Sequence, residues 1–207
     1  LRTTLILSLA AAQSDEEAIA ATAGLIEAAE ATRNPWALSL ALQAFGVAHL
    51  HVDPVAALQA CCRGLQVAED SGNRGNGTTL ATIAARIEGE YGDLLGALYY
   101  IGVAIHNYHD SGNPTSIRIP MATLATVLDR MARYEPAAII AGCASTPFAV
   151  ATFPELSSTS AHLRTVLGDE DYESLARKGE TMSTAEIAAY AYDQIDQARA
   201  DLNAASK

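Results

Sequence analysis

Apolar residues recur along this chain with the period of a helix. Met121, Leu124, Ala125 and Leu128 fall three and four residues apart, and so do Ile187, Tyr190, Ala191 and Ile195. Such spacing lays one apolar stripe along a helix and sends the residues between it to the other side. Strands rich in Val, Ile and Thr that alternate with polar residues are absent, so the pattern predicts an all-α fold.

The stripes repeat. The string DSGN occurs at Asp70–Asn73 and again at Asp110–Asn113, and a further step back leads from Asn73 to Asn34. Ser14, Asp53 and Asp93 keep the same steps of 39 and 40 residues, as do Ala18, Ala57 and Ala97. Each column has a physical role. Ser, Asp and Asn side chains accept bonds from the orphan N–H groups of a helix start. Glu17 completes a capping box with Ser14, and Pro54 follows Asp53 at the first helical position. The alanines lie one turn further on, where a small side chain admits a neighbouring helix. Gly72 and Gly112 suit the left-handed conformation that ends a helix.

The unit is therefore a helix A, a tight turn, a helix B and a short loop. Helix A is predicted at about 1–12, 35–50, 77–91 and 114–132, and helix B at about 15–31, 54–70, 94–110 and 136–145, with ends uncertain by roughly two to four residues. Asn34-Pro35 and Asn113-Pro114 are expected to start helices. Short connections make the pairs antiparallel and stack them as an α-solenoid. The first pair is expected to be truncated, so residues 1–145 form about four helical repeats and 146–207 a divergent helical cap. Within the cap, 146–158 reads as a Pro/Ser/Thr-rich connection, and Leu163, Val166 and Leu167 belong to a helix broken at Gly168. Asp169 to Lys178 resumes it as far as Gly179, and Ser183 with Glu186 forms a capping box for a last helix.

Composition narrows the functions. Half of the residues are hydrophobic but only 6% aromatic, and alanine, the best helix former, supplies much of the difference. The formal net charge is −11, with 13 basic residues scattered among 24 acidic ones. A nucleic-acid surface needs clustered Lys and Arg, so no direct contact with DNA or RNA is expected. No run approaches the ~20 apolar residues that span a bilayer, so no membrane partner is expected either. Arg2 and the apolar run Thr3 to Ala12 imitate a signal peptide but are short, and Leu1 stands where an initiator Met would. A helix exposed by truncation is the expectation. Cys61, Cys62 and Cys143 lack metal or redox spacing and read as small buried residues of a reducing, cytoplasmic compartment.

Two stretches resemble known families. Residues 90–113, EYGDLLGALYYIGVAIHNYHDSGN, are similar to a tetratricopeptide-like (TPR-like) repeat, with Gly92-Asp93 as the turn and Ala97 and Ala104 as the small residues of helix B. The preceding unit departs from it, with Val52 for the turn glycine and Gly64 for the second alanine. Residues 163–193 resemble the carboxyl-terminal end of large actinobacterial regulators, through Leu167-Gly168, Glu170 to Tyr172, Gly179, Met182-Ser183 and Glu186. Those proteins join a STAND-type signal-transduction ATPase to helical repeats, many with a LuxR-type DNA-binding or a cyclase domain. The resemblance implies a regulatory sensor or protein-interaction segment whose partner is the upstream ATPase domain of the parent chain. A free-standing adaptor of the same repeats is the alternative.

Chemistry-bearing motifs are thin. The loop Gly72 to Thr79 is glycine-rich, but it lacks the lysine and preceding strand of a phosphate loop. A repeat junction accounts for its glycines. His106 and His109 share a face beside Asp110, yet a metal site needs three or four ligands, and an exposed helix end is the plainer reading. Asn76-Gly77-Thr78 fits a glycosylation sequon, which matters only in a secreted chain. The acidic runs Asp15-Glu16-Glu17 and Asp169-Glu170-Asp171 suit the positive ends of helices. No catalytic residue, metal ligand or cofactor is predicted. In stacked pairs of this kind helix A lines the concave side. Ser39, His49, Thr82, Arg86, Glu90, Thr126, Asp129 and Arg130 are therefore expected to face a groove for a protein, a peptide or a small inducer. A merely solvated face is the alternative.

Overall fold

The computed structural model describes residues 2–12 and 14–205, apart from the side chains of residues 11 and 15. Expectations that touch Leu1 and Gln13, and the Asp15 carboxylate at a helix start, lie outside the described residues. Every regular element described is a helix. The chain divides into two compact units, Leu1–Tyr91 and Gly92–Lys207.

The first unit holds α1 (Arg2–Ala11), α2 (Asp15–Thr22), α3 (Leu25–Ala31), α4 (Pro35–His49), α5 (Pro54–Asp70) and α6 (Arg74–Tyr91). The expected helix at 15–31 is interrupted. Gly24 takes a left-handed φ of 67° and separates α2 from α3. Ser14 caps nothing with its side chain, whereas Asp53 accepts a bond from Ala56 N at 3.0 Å. The two backbones have similar ψ angles, 61° and 76°, but a carboxylate oxygen lies one bond further out than a hydroxyl. Asn34 Oδ1 accepts from Trp36 N and Ala37 N, with Pro35 at the first helical position. α6 begins at Arg74, three residues earlier than expected, because Asn73 Oδ1 accepts from Asn76 N at 3.3 Å and Gly75 and Gly77 join the first turn. The glycine-rich segment is thus largely helix.

Ala18 and Ala57 are fully buried, as is Ala97 of the second unit. The aliphatic core of the first unit centres on Leu42, Leu80 and Ile87, with Ile6, Leu25 and Ala29 towards the amino-terminal helices. Burying each large side chain contributes about 1.5–3 kcal/mol. Gly64 stands where the repeat otherwise carries alanine because a Cβ there would sit 3.0 Å from the Leu80 methyl groups.

The second unit holds α7 (Leu94–Asp110), α8 (Arg118–Arg130), α9 (Tyr134–Ala144), α10 (Pro147–Thr152), α11 (Glu155–Leu167), α12 (Asp169–Thr181) and α13 (Thr184–Ala205). Asp93 caps α7 through Leu95 N and Gly96 N. Asn113 caps only a turn, through Ser116 N at 3.0 Å, and the regular helix starts at Arg118 rather than 114. Pro120 explains the shift, since it has no N–H and is tolerated only in a helix's first turn. The stretch read as an irregular connection forms α10, capped by Thr146, and the start of α11. α12 runs through Gly179 to Thr181. That glycine is required by packing. A methyl at Gly179 would overlap the Ile139 carbonyl, and one at Gly142 would overlap the Ala176 carbonyl, so α9 and α12 meet backbone to backbone.

The Ser183–Glu186 capping box forms as expected, with Glu186 Oε2 accepting from Ser183 N at 2.8 Å and Ser183 Oγ from Glu186 N at 3.3 Å. α13 then packs on α7 and also touches α9 and α8, burying Ile187, Ala188, Ala191, Ile195 and Ala198. Arg133 holds its far end by donating to Gln194, Gln197 and Asp201. Met121, Leu124, Ala125 and Leu128 are all buried in the core, as the stripe required.

A candidate binding cleft

The helix-A face expected to line a groove divides by accessibility. In the first unit Ser39 is buried and donates to Trp36 O at 3.1 Å, and Thr82 is buried and donates to Thr78 O at 2.9 Å. Neither is open to a ligand. His49 stacks on Phe45, ring centres 3.9 Å apart, and shares a hydrogen bond with Phe45 O. Arg86 is half-buried, and the exposed Glu90 lies 3.8 Å from His51 Nδ1. In the second unit α11 covers the corresponding face. Thr126 Oγ1 meets Thr159 Oγ1 at 2.9 Å, and Asp129, its side chain only 11% exposed, meets His162 Nδ1 at 2.9 Å. Thr126 and Asp129 are thus interface residues between α8 and α11, and Arg130 alone of this trio is exposed.

The cysteines and the remaining histidines keep to packing or to the surface. Cys61 and Cys143 are buried, and burial pushes both thiols up, with Arg118 working the other way at Cys143. Such thiols are poor nucleophiles and poor ligands at neutral pH. His106 Nε2 and His109 Nδ1 lie 3.2 and 3.8 Å from Asp110, all three substantially exposed. No three His, Cys, Asp or Glu among the described residues are grouped to hold a metal ion. No described helix is long and apolar enough to cross a membrane. At the α11–α12 corner Arg164 pairs with Asp169 and Glu173 and stacks over Tyr172, 4.3 Å from the ring centre. These contacts hold the break at Gly168.

One open feature within the first unit was not among the sequence expectations. A cleft of about 470 Å³ lies between α3 and α5, above the first turn of α4. Ala29, Pro35, Leu38 and Val67 form its apolar walls, and Glu30, Arg33, Asn34, Asp70 and Ser71 its polar rim. Both α3 and α5 end at this rim, and neither has a basic residue in its last turn. The negative ends of two helix dipoles therefore converge beside two carboxylates. Arg63 reaches from α5 to Glu30 at 2.5 Å and ties the two helices together. Apolar walls with a few charged groups at the rim suit the binding of an amphipathic ligand. The residues were individually visible in the sequence, but only the spacing of α3 from α5 brings them to one place.

No protein-family model matches this chain, and neither a curated protein nor a solved structure matches it significantly.

Proposed function

We propose that the chain is an interaction module of repeated, TPR-like helix pairs, working as the sensor or protein-interaction segment of a larger signal-transduction regulator and performing no catalysis itself. One observation carries the repeat reading. Arg33, Gly72 and Gly112, spaced 39 and 40 residues apart, all take left-handed φ angles, 53°, 69° and 63°. Each directly precedes a capping asparagine. In each turn the left-handed N–H bonds a carbonyl three residues back, to Glu30, Glu69 and His109 respectively. An arginine holding the left-handed conformation costs of the order of 1–2 kcal/mol, so the turn geometry persists where glycine does not supply it. Recurrent turns of this kind support a repeated helix-pair unit, and stacked units of that kind build recognition surfaces.

The larger regulator is inferred from the similarity of residues 163–193 to the carboxyl-terminal end of STAND-type ATPase regulators, including those of the LuxR type and those linked to cyclases. On this reading the chain works in the cytoplasm, and its partners are an upstream nucleotide-binding domain and a protein, peptide or inducer. The parent reading frame is the test. A frame several times longer than 207 residues, with a P-loop upstream, is the expected result. A frame holding the repeats alone would overturn the regulator reading in favour of an adaptor.

A further inference from the structure

The repeat relates the open cleft to a second place in the chain. Steps of 39 and then 40 residues carry Pro35 and Leu38, both in the cleft wall, onto Pro114 and Ile117. The same two steps carry Glu30 and Arg33 of the rim onto His109 and Gly112. In the second unit this equivalent recess lies between α7 and α9, over the turn that leads into α8, and it is filled. Pro114 and Ile117 meet Met182, Thr184 and Ile187 at the start of α13, leaving a gap of about 10 Å³. Further along α13, burial and then the Asp110 carboxylate at the end of α7 push the Tyr192 phenol up.

We propose that the cleft between α3 and α5 is a seat for an amphipathic helix of a partner protein, one whose polar face carries basic residues. The molecule itself demonstrates the mode of filling, because α13 closes the equivalent recess with Ile187, Ala188, Ala191 and Ile195. Charge complementarity sets the partner's sign. In the second unit Arg133, at the start of α9, receives Asp201 of α13. The corresponding position at the start of α5 is the acidic cap Asp53. Glu30, Asp70 and two helix carboxyl ends border the open cleft. Arg33 is the positive group of the lining, and Arg63 is already engaged by Glu30. A helix as acidic as α13 would be repelled there, whereas Lys or Arg on its polar face would meet Asp70 and the α5 carboxyl end.

This inference deepens the interaction-module reading and rests on it for the existence of a partner. The parent reading frame tests that reading separately. Trp36, the single tryptophan, adjoins Pro35 of the cleft wall and is 58% exposed, so its emission reports on the seat. The probe is a synthetic peptide of residues 184–205, which lacks tryptophan, carrying Asp193→Lys, Asp196→Lys and Asp201→Lys. Titrated into the intact chain, it should shift Trp36 emission to the blue and saturate at micromolar concentrations. Asp70→Lys in the chain should weaken this peptide about tenfold and improve binding of the unmodified acidic peptide, a reversal that loss of fold would not produce. Val67→Glu should weaken both. Absence of a saturable Trp36 response, or a response indifferent to Asp70→Lys and Val67→Glu, would overturn the proposal. So would a Trp36 shift that follows the chain's own concentration without peptide, since a second copy would then be the occupant.

Discussion

Leu38 and Ile117 occupy equivalent repeat positions, yet Leu38 borders a cleft of about 470 Å³ and Ile117 a gap of about 10 Å³. The helix pairs do not make this difference. It comes from α13, which lies outside the repeat and brings Ile187 onto Ile117. Each of these two recesses must be filled, left wet or used. A second difference concerns how closely helices meet. In the first unit the close glycines, Gly46 and Gly64, approach side chains: Cys61 Sγ lies 2.5 Å and the Leu80 methyls 3.0 Å from an added Cβ. In the second, Gly142 and Gly179 approach backbone carbonyls. Side chains can rotate away and backbone cannot, so the α9–α12 contact tolerates no added atom.

The largest expected effect breaks that second contrast directly. Gly179→Ala or Gly142→Ala should destabilise the second unit by about 3 kcal/mol or more, because a packed helix pair would have to separate. Gly64→Ala in the first unit should cost less, about 1–2 kcal/mol, because the Leu80 methyls can shift while the Leu42 Cβ, 3.2 Å from the added carbon, cannot rotate away. Urea denaturation of the three variants gives the order. Equal losses would show that the two units pack with the same tolerance. A smaller effect sharpens the contrast between seat and cleft. Ile187→Ala removes a fully buried side chain and should cost about 2–4 kcal/mol. Leu38→Ala, at a half-buried wall, should cost about 1 kcal/mol. A Leu38→Ala loss as large as that of Ile187→Ala would mean that the cleft is part of the core.

The sequence was informative where one residue has one physical role. Asn34, Asp53 and Asp93 cap as expected, Gly72 and Gly112 end helices in the left-handed region, and the alanine column is buried. It was silent or misleading where a role depends on a distant partner. The break at Gly24 lies in a run so rich in alanine that no stripe distinguishes one long helix from two. Gly179 was read as a stop because its need for closeness to Ile139 is invisible along the chain. The expected groove failed at Ser39 and Thr82 for a different reason. A hydroxyl that donates to a carbonyl of its own preceding turn is satisfied without water, so a polar letter on a helix does not imply an exposed face. Asp129 was hidden by α11 through His162, a pairing of residues far apart in sequence.

The smallest expected effect concerns how the helix that fills the second recess is started. The bonds from Ser183, from its hydroxyl first and then its backbone N–H, hold the Glu186 carboxyl below the usual carboxylate range. A carboxylate whose folded pKa is depressed stabilises the fold above its unfolded pKa, and the contribution disappears as pH falls through the folded value. The α13 start should therefore be intact at neutral pH and fray only once pH falls below the ordinary glutamate range, with no change on raising the pH. Ser183→Ala should return the Glu186 titration, followed by NMR of its side-chain carboxyl, towards that of an ordinary glutamate. Protection of the first α13 amides from hydrogen exchange should then fall at neutral pH, while the α4 amides, capped by Asn34, keep theirs. If the Glu186 titration does not move in Ser183→Ala, the capping box does not hold the carboxylate, and α13 is seated by its apolar face alone.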